Sequence, residues 1–468
     1  MVAEDVIGPQ TDLWRSTERP RVWPSVPLGC RSEADESFDA SRRRPLPFLH
    51  DLGNYGSRVS APPIFGVGRG KFYRISAEAA ARIHKRRAED GETRRRRGNL
   101  TRSSQELTSS ETVKWCGRRR DIATVWKDGD GKARVSYDPD RAVAIVAGET
   151  GRARYRHLHR CGSPWECPSC MERISRTRSD ELRDLVKAHR AAGGGAWMLT
   201  LTVPHDAGLD LEQLRMQISK VFRQVLGTRA WKRQRDAIGY VGFIRSLEVT
   251  HGRRNGWHPH LHVLVLTDRK LEDPATGEQL HVATQFKRAV YCEWAKRIRK
   301  AGYRLPTYAN GISFVPSVKD QYIAKMGLAD ELTRGSWKKA GTFGEHRTPL
   351  QILAAISTSS PGGQARDRDC ALWIEYASEM RGARQLTYSK GIRKRYDLRP
   401  EQTELEILEA DEAQEASVIG EVPGADWDLY FRDNWRQRVR MLEVAETLGE
   451  DGVLRELDRL RGLPPVPF

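Results

Sequence analysis

The stretch 256–266, GWHPHLHVLVL, decides how this chain is read. Three of the protein's 12 histidines stand at alternate positions, His258, His260 and His262, and an aliphatic run follows them. Alternate residues of a β-strand share one face. The three imidazoles therefore project together, while Leu261, Val263 and Val265 project to the other side, into a core. Imidazoles spaced in this way can reach a single divalent ion. Pro259 has no N–H to give to a ladder, so the strand becomes regular only beyond it. That favours His260 and His262 as ligands over His258.

A third ligand has to come from the neighbouring strand. GYVGFIRSLEVTHG (239–252) reads as that strand and RRNG (253–256) as the turn between the two. Register then chooses the ligand, because a slip of one residue moves every side chain to the other face. A two-residue turn at Asn255-Gly256 sets His251 opposite His260. A loop with an odd number of residues sets Glu248 opposite His262. Pro259 disfavours the tight turn, so the longer loop is the better reading, with Glu248 as the third ligand and His251 as the fallback.

Outward from the hairpin the pattern stays regular. GAWMLTLTVPH (195–205) alternates as a strand. LDLEQLRMQISKVFRQVL (209–226) carries Leu211, Leu214, Ile218, Val221, Phe222 and Val225 at helical spacing. A helix is expected over 282–302, ended by Gly302, then a strand over 311–318 and a helix over 319–335. Strand, helix, hairpin, helix, strand, helix is the order of an α+β fold, an antiparallel sheet with helices on one face. In the last of these helices, YIAKM puts Tyr322 and Lys325 three apart on one face. A tyrosine becomes a useful nucleophile when a cation helps it ionise and a metal lies near its target.

Seven cysteines occur, and three crowd into CGSPWECPSC: Cys161, Cys167 and Cys170. A CPxC pair is half of a tetrahedral thiolate site. Cys116, in WCGRRR, would complete four, with His157 and His159 as the alternative fourth ligand. Four protein ligands leave no open position, so this would be a structural Zn²⁺ and not a catalytic one. No apolar leader opens the chain and no apolar run reaches the length of a membrane span. The expected setting is a reducing cytoplasm without membrane attachment, where clustered cysteines mean metal and not disulfide.

Charge points to the partner. Lys and Arg number 79 against 62 Asp and Glu, a net +17, which suits a phosphate backbone. GVGRGKF (66–72) is no phosphate loop, because its spacing is wrong and no Ser or Thr follows Lys71. Residues 1–110 read as a basic, poorly structured region. A zinc module is expected over 111–180, the sheet domain over 181–345 and a helical extension with a possible origin-DNA contact over 346–400. An acidic linker and a last amphipathic helix near 426–448 are expected within 401–468.

FIRSLEVTHGRRNGWHPHLHVLVL, preceded by MLTLTVP and followed by YIAKM, resembles the rolling-circle replication initiators (Rep proteins) of small plasmids. The likeness is greatest to those of Gram-positive bacteria and actinomycetes, within the HUH endonuclease superfamily. It covers 111–395, including LADELTRGSWKKA and RQLTYSKGIRKR. Tyrosine after the histidine strand is the initiator order, shared with some single-strand transposases, whereas conjugative relaxases place it first. The resemblance implies that His260 and His262 bind Mg²⁺ or Mn²⁺ and that Tyr322, assisted by Lys325, attacks DNA. The tyrosine would take the 5′-phosphate and leave a 3′-OH for a polymerase, and a separate host helicase would open the duplex. Similar initiators carry a cysteine-bearing segment before the endonuclease. Some relatives place a glutamate four residues before the tyrosine, to activate water at termination; here that position is Val318. The competing readings are a single-tyrosine transposase or relaxase, and a non-enzymatic zinc-ribbon DNA-binding regulator.

Overall fold

The computed structural model describes residues 65–68, 71–74, 77–127, 132–148, 151–268, 277–315 and 346–463. Contacts divide the chain into two units, 1–80 and 81–468. In the first, Phe65–Gly68 (β1) and Lys71–Arg74 (β2) form an antiparallel hairpin. The helix Ala77–Leu107 (α1) follows, then Glu111–Lys114 (α2), Ala123–Lys127 (β3), Ala133–Tyr137 (β4), Val143–Ala147 (β5), Ala153–Tyr155 (β6) and Pro168–Ala191 (α3). Next come Gly195–Thr202 (β7), Leu211–Leu226 (α4), Arg229–Ala237 (α5), Tyr240–Gly252 (β8), Gly256–Thr267 (β9), Gly277–Lys300 (α6) and Ile312–Val315 (β10). Further along lie His346–Arg347 (β11), Pro349–Thr358 (α7), Gln364–Glu379 (α8), Leu386–Tyr388 (β12), Ile392–Arg395 (α9), Glu404–Ala413 (α10), Ser417–Val422 (β13) and Trp435–Arg461 (α11).

The fold is α+β. Its main sheet has the order β10-β7-β9-β8-β11, with β12 also on β8, and every pairing is antiparallel. Alternation along the strands sorts the side chains. Trp197, Leu199, Leu201, Leu261, Val263 and Val265 enter a core with Leu214, Ile218 and Phe222 of α4 and Phe286 and Trp294 of α6. Each such side chain contributes about 1.5–3 kcal/mol by leaving water. The six apolar positions expected on α4 are all buried.

Helices on one face only is not what is found. Leu182, Leu185 and Val186 of α3, with Ile392 of α9, cover the opposite face against Ala196, Met198, Ile244, Leu264 and Leu266. Helix α3 thus begins at Pro168, inside the stretch read as a zinc module, and runs on past 180 to cover the sheet. That second layer is apolar at the Leu264–Leu266 end, and the same face continues along β9 as His262, His260 and His258.

The β8–β9 hairpin closes with Gly252 opposite Gly256, so three residues, 253–255, form the loop. The odd loop is as expected, but the register lies two residues away from the expected one. Glu248 is opposite His260, and Ser246 is opposite His262. A shift of two preserves faces, so Glu248 remains on the histidine side. Gly256 sets this geometry with φ of 72°, and an added Cβ would meet Ala207 Cα at 2.9 Å. Three-residue hairpins favour glycine at such a left-handed position. Gly256→Ala should therefore cost more than about 1–2 kcal/mol, read as a lowered denaturation midpoint; an unchanged midpoint would show that the turn tolerates a side chain.

Within three of the stretches read from sequence the structure adds detail. Residues 77–107 are helical, although they lie in the region read as poorly structured. This helix lacks an apolar stripe because polar contacts seat it. Arg94 pairs with Glu446, Arg97 with Glu172, and Ser104 donates to the Glu166 carbonyl at 2.6 Å. The segment 346–400 is no appendage, since β11 and β12 extend the sheet and Leu350, Leu353, Trp373 and Tyr376 complete its core. The acidic stretch is helix α10, docked on basic side chains through Glu404–Arg178, Asp411–Arg173 and Glu412–Arg160.

The end of the chain closes a second, smaller layer. β13 pairs with β5, which pairs with β6. Val143, Ile145, Tyr155, Val422, Trp427, Phe431 and Met441 form its core. No described helix is long and apolar enough to cross a membrane.

Candidate metal centre and active site

β9 carries His260 and His262 side by side, with ring centroids 4.8 Å apart. Glu248 reaches them from β8, with Oε2 2.7 Å from His262 Nε2 and 3.2 Å from His260 Nε2. Register places Glu248 opposite His260, so its shorter contact, to His262, runs diagonally. The ligand atoms of the three residues all lie within 4.8 Å of one another. Burial pushes the Glu248 carboxyl up, but hydrogen bonds with His260 and His262 outweigh it and hold the group well below the usual carboxylate range.

β7 supplies a residue that the strand pattern alone did not single out. Thr200 is opposite His262, and its Oγ1 is 3.0 Å from His262 Nδ1. With Nδ1 held there, Nε2 is turned to Glu248, the orientation a metal-binding imidazole needs. The signal was present in LTLT, whose two threonines alternate onto the histidine face. Ser246, opposite His262 on the other side, has a buried Oγ with no hydrogen-bond partner among the described residues.

The other histidines separate from this group. His258 stacks on His205 with centroids 4.3 Å apart and lies 5.9 Å from His346. Burial, with the imidazoles of His260, His205 and His346, pushes it down to about 3. His251, the fallback ligand, is opposite Trp257 and packs edge-on against it at 4.8 Å. One residue of parity along β8 puts it on the face away from Glu248 and Thr250.

Cys116, Cys161, Cys167 and Cys170 form a second group of ligand atoms. Their sulfurs stand 3.4 Å apart for Cys116–Cys170, 3.6 Å for Cys116–Cys167 and 3.7 Å for Cys161–Cys170. None is in a disulfide. A tetrahedral ion with metal–sulfur bonds of about 2.3 Å separates its sulfurs by about 3.8 Å, so four sulfurs at these spacings fit one. Hydrogen bonds from Cys116, Cys161 and Cys167 pull Cys170 well below its usual value, toward the thiolate that a metal requires. His157 Nδ1 lies 3.1 Å from the Ala142 carbonyl and His159 Nε2 3.2 Å from that of Thr112, so both are engaged elsewhere. Ile174, Ile407 and Leu408 pack around the cysteines.

Tyr322, Lys325 and Val318 lie outside the described residues. β10, the last described strand before them, pairs with β7, with Val315 opposite Met198.

The family model described as Replication protein matches residues 152–271. That span holds Glu248, His260, His262 and Thr200, and three of the four clustered cysteines. Over 327 residues the chain is 28% identical to Protein rep of Streptomyces lividans, covering 58% of this chain and 71% of that one. Protein rep of Lentilactobacillus hilgardii is 23% identical over 311 residues, 65% of this chain and 87% of that one. Protein rep of Streptococcus pneumoniae serotype 2 is 31% identical over 127 residues, 26% of this chain and 38% of that one. No solved structure matches the chain. The family match falls on the strands that carry the histidine–glutamate group, and these three relatives are each named Protein rep: in this region the chain is similar to replication proteins.

Proposed function

We propose that this chain is a Rep protein, an initiator of rolling-circle replication, that nicks and rejoins one DNA strand at a plasmid origin through a 5′-phosphotyrosine intermediate. The observation that carries the reading is the Glu248–His260–His262 group, three ligand atoms gathered on one sheet face. Two imidazoles and a carboxylate can hold one divalent ion, and Mg²⁺ or Mn²⁺ is the ion that the resemblance to Rep proteins implies. When bound, such an ion polarises the scissile phosphate. The chain's own residues do the rest. Glu248 and the two histidines hold the ion, and Thr200 keeps His262 turned toward it. Tyr322 Oη attacks phosphorus, the P–O3′ bond breaks, and the 3′-oxygen leaves and takes up a proton. Lys325, one helical turn along in the expected helix, stabilises the phenolate. Attack of a 3′-OH on the phosphotyrosine reverses the step and joins the strand.

The four cysteines suit Zn²⁺ in a closed, structural site that holds the basic module around it together. The net charge of +17 supplies sequence-independent affinity for the origin duplex and the single-stranded nick site. A host helicase would open the duplex and a polymerase would extend the 3′-OH.

Tyr322→Phe provides the test. It keeps the ring and removes the nucleophilic oxygen. Full-length protein incubated with Mn²⁺ and a single-stranded oligonucleotide library should form a covalent adduct, and the variant should form none while binding duplex DNA normally. Mass spectrometry after nuclease digestion should find the nucleotide remnant on Tyr322. A remnant on Tyr291, Tyr303 or Tyr308 would refute the assignment, and no adduct at all would favour the regulator.

A further inference from the structure

Helices α4, α5 and α6 cover the face of the sheet that points away from the histidines. Leu214, Ile218 and Phe222 of α4, Trp231 of α5 and Phe286 and Trp294 of α6 turn into one core. Trp231 meets Phe286 with ring centroids 5.6 Å apart. With the apolar sides inward, the exposed side chains of the three helices share one outer surface. Residues 211–237 and 281–300 hold 13 Lys and Arg against 3 Asp and Glu. About a tenth of the chain thus supplies +10 of its net +17.

This charge is not cancelled where it stands. Arg229, Lys232 and Arg233 of α5 are exposed. On α6, Arg288, Lys296 and Lys300 are exposed and fall on one stripe, at multiples of four. Two of the three acids are engaged with other cations, Asp236 with Arg235 and Glu293 with Arg297. The third, Glu212, stands in the first turn of α4. The six exposed cations therefore have no ion-pair partner among the described residues. Burial pushes the half-buried Arg245 guanidinium down, and Arg223 of α4 and Arg384 push it further, as an unbalanced positive field does.

We propose that the outer surface of α4, α5 and α6 is a seat for double-stranded DNA, gripped by its phosphate backbone on the side of the sheet away from the metal group. What is exposed decides between polyanions. A protein that grips single strands adds aromatic rings on which bases stack, and no Phe, Tyr or Trp is exposed among the described side chains of these helices. A helix lying on a lipid surface turns an apolar face to it, and here the apolar faces are buried in the core. Lys and Arg alone suit the phosphates of a duplex, contacts that position without reading sequence. At 24 residues α6 is about 36 Å long, about one turn of B-DNA. The duplex is then anchored on one face of the sheet while a single strand reaches Glu248, His260 and His262 on the other. The proposal rests on DNA as the partner and not on the phosphotyrosine chemistry.

The test uses the full chain, wild type against Arg229→Gln/Lys232→Gln/Arg233→Gln and, separately, against Arg288→Gln/Lys296→Gln/Lys300→Gln. These positions are exposed, so the Tm should hold, and if one triple variant melts early the other carries the test. Binding of an arbitrary-sequence duplex is followed against salt. In each variant affinity should fall, and the slope of log K against log salt should become shallower by about 0.9 for each phosphate no longer neutralised. Arg229→Lys/Arg233→Lys, which keeps the charges, should bind as the wild type does. Covalent attachment to a single-stranded oligonucleotide with Mn²⁺ should persist in both glutamine variants, because the metal group lies on the other face. Its loss in them alone overturns the separation of the two faces, whereas no adduct even with the wild type counts against the nicking reading only. An unchanged slope in both glutamine variants overturns the proposal, and if they then lose binding to vesicles of anionic phospholipid, the surface belongs to a membrane instead.

Discussion

His262→Ala should cut strand nicking about a thousandfold or more, with duplex binding nearly unchanged. An ion that polarises phosphate contributes several kcal/mol to the transition state, and each 1.36 kcal/mol is a factor of about ten in rate. His262 is the centre of its group. Its Nε2 meets Glu248 at 2.7 Å and its Nδ1 meets Thr200 at 3.0 Å. His260→Ala should behave alike, and His258→Ala should be milder, since His258 is stacked on His205 outside the group. Thr200→Val, which keeps the shape but not the hydroxyl, should weaken Mn²⁺ binding by about 10–100-fold, the usual cost of losing a partner that orients a ligand. Glu248 carries a further condition. Its carboxyl is held well below the usual range, so it stays ionised at working pH, and the loss caused by Glu248→Gln should not vary with pH. Nicking assays with Mn²⁺ titrations across pH check all of these. A His258→Ala variant more damaged than His262→Ala would mean that the ion sits elsewhere on the strand.

Cys167→Ser should abolish metal binding at the four-cysteine group and unfold the module around it. A tetrahedral thiolate site and the fold that makes it share one free energy, about 10–16 kcal/mol in small zinc domains. Cys167 is fully buried, and Ile174, Ile407 and Leu408 pack around the group it belongs to. The damage should therefore travel to α10, which is remote in sequence, and make 404–413 sensitive to protease. Metal analysis and limited proteolysis read both effects. Full metal content in a Cys167→Ser/Cys170→Ser double variant, or an intact α10 in a metal-free one, would contradict this account.

Short-range pattern was enough for β7, β8, β9 and α4 and for the faces they present. A period of two along 256–266 placed Leu261, Val263 and Val265 in the core and the histidines opposite, because alternation is a property of one strand. A period near 3.6 marked the buried positions of α4 for the same reason. Motif order was enough for the resemblance to replication proteins, since it needs no three-dimensional information. The chemistry of α1 was less legible: it lacks an apolar stripe and is held by ion pairs whose partners, Glu172 and Glu446, lie far along the chain.

What only the tertiary structure decided are the relations between distant segments. The hairpin register turned on whether the loop held three residues and on Gly256 entering a left-handed conformation against Ala207, and the wrong choice shifted Glu248 by two positions. It stayed on the right face because a shift of two preserves parity. The covering of the second sheet face by α3, the pairing of β5 with β13 and the docking of α10 on the cysteine module leave no local mark. Each is selected by which buried surfaces and charges complement one another after the chain has closed long loops, and that selection is a property of the whole fold, not of any stretch of residues.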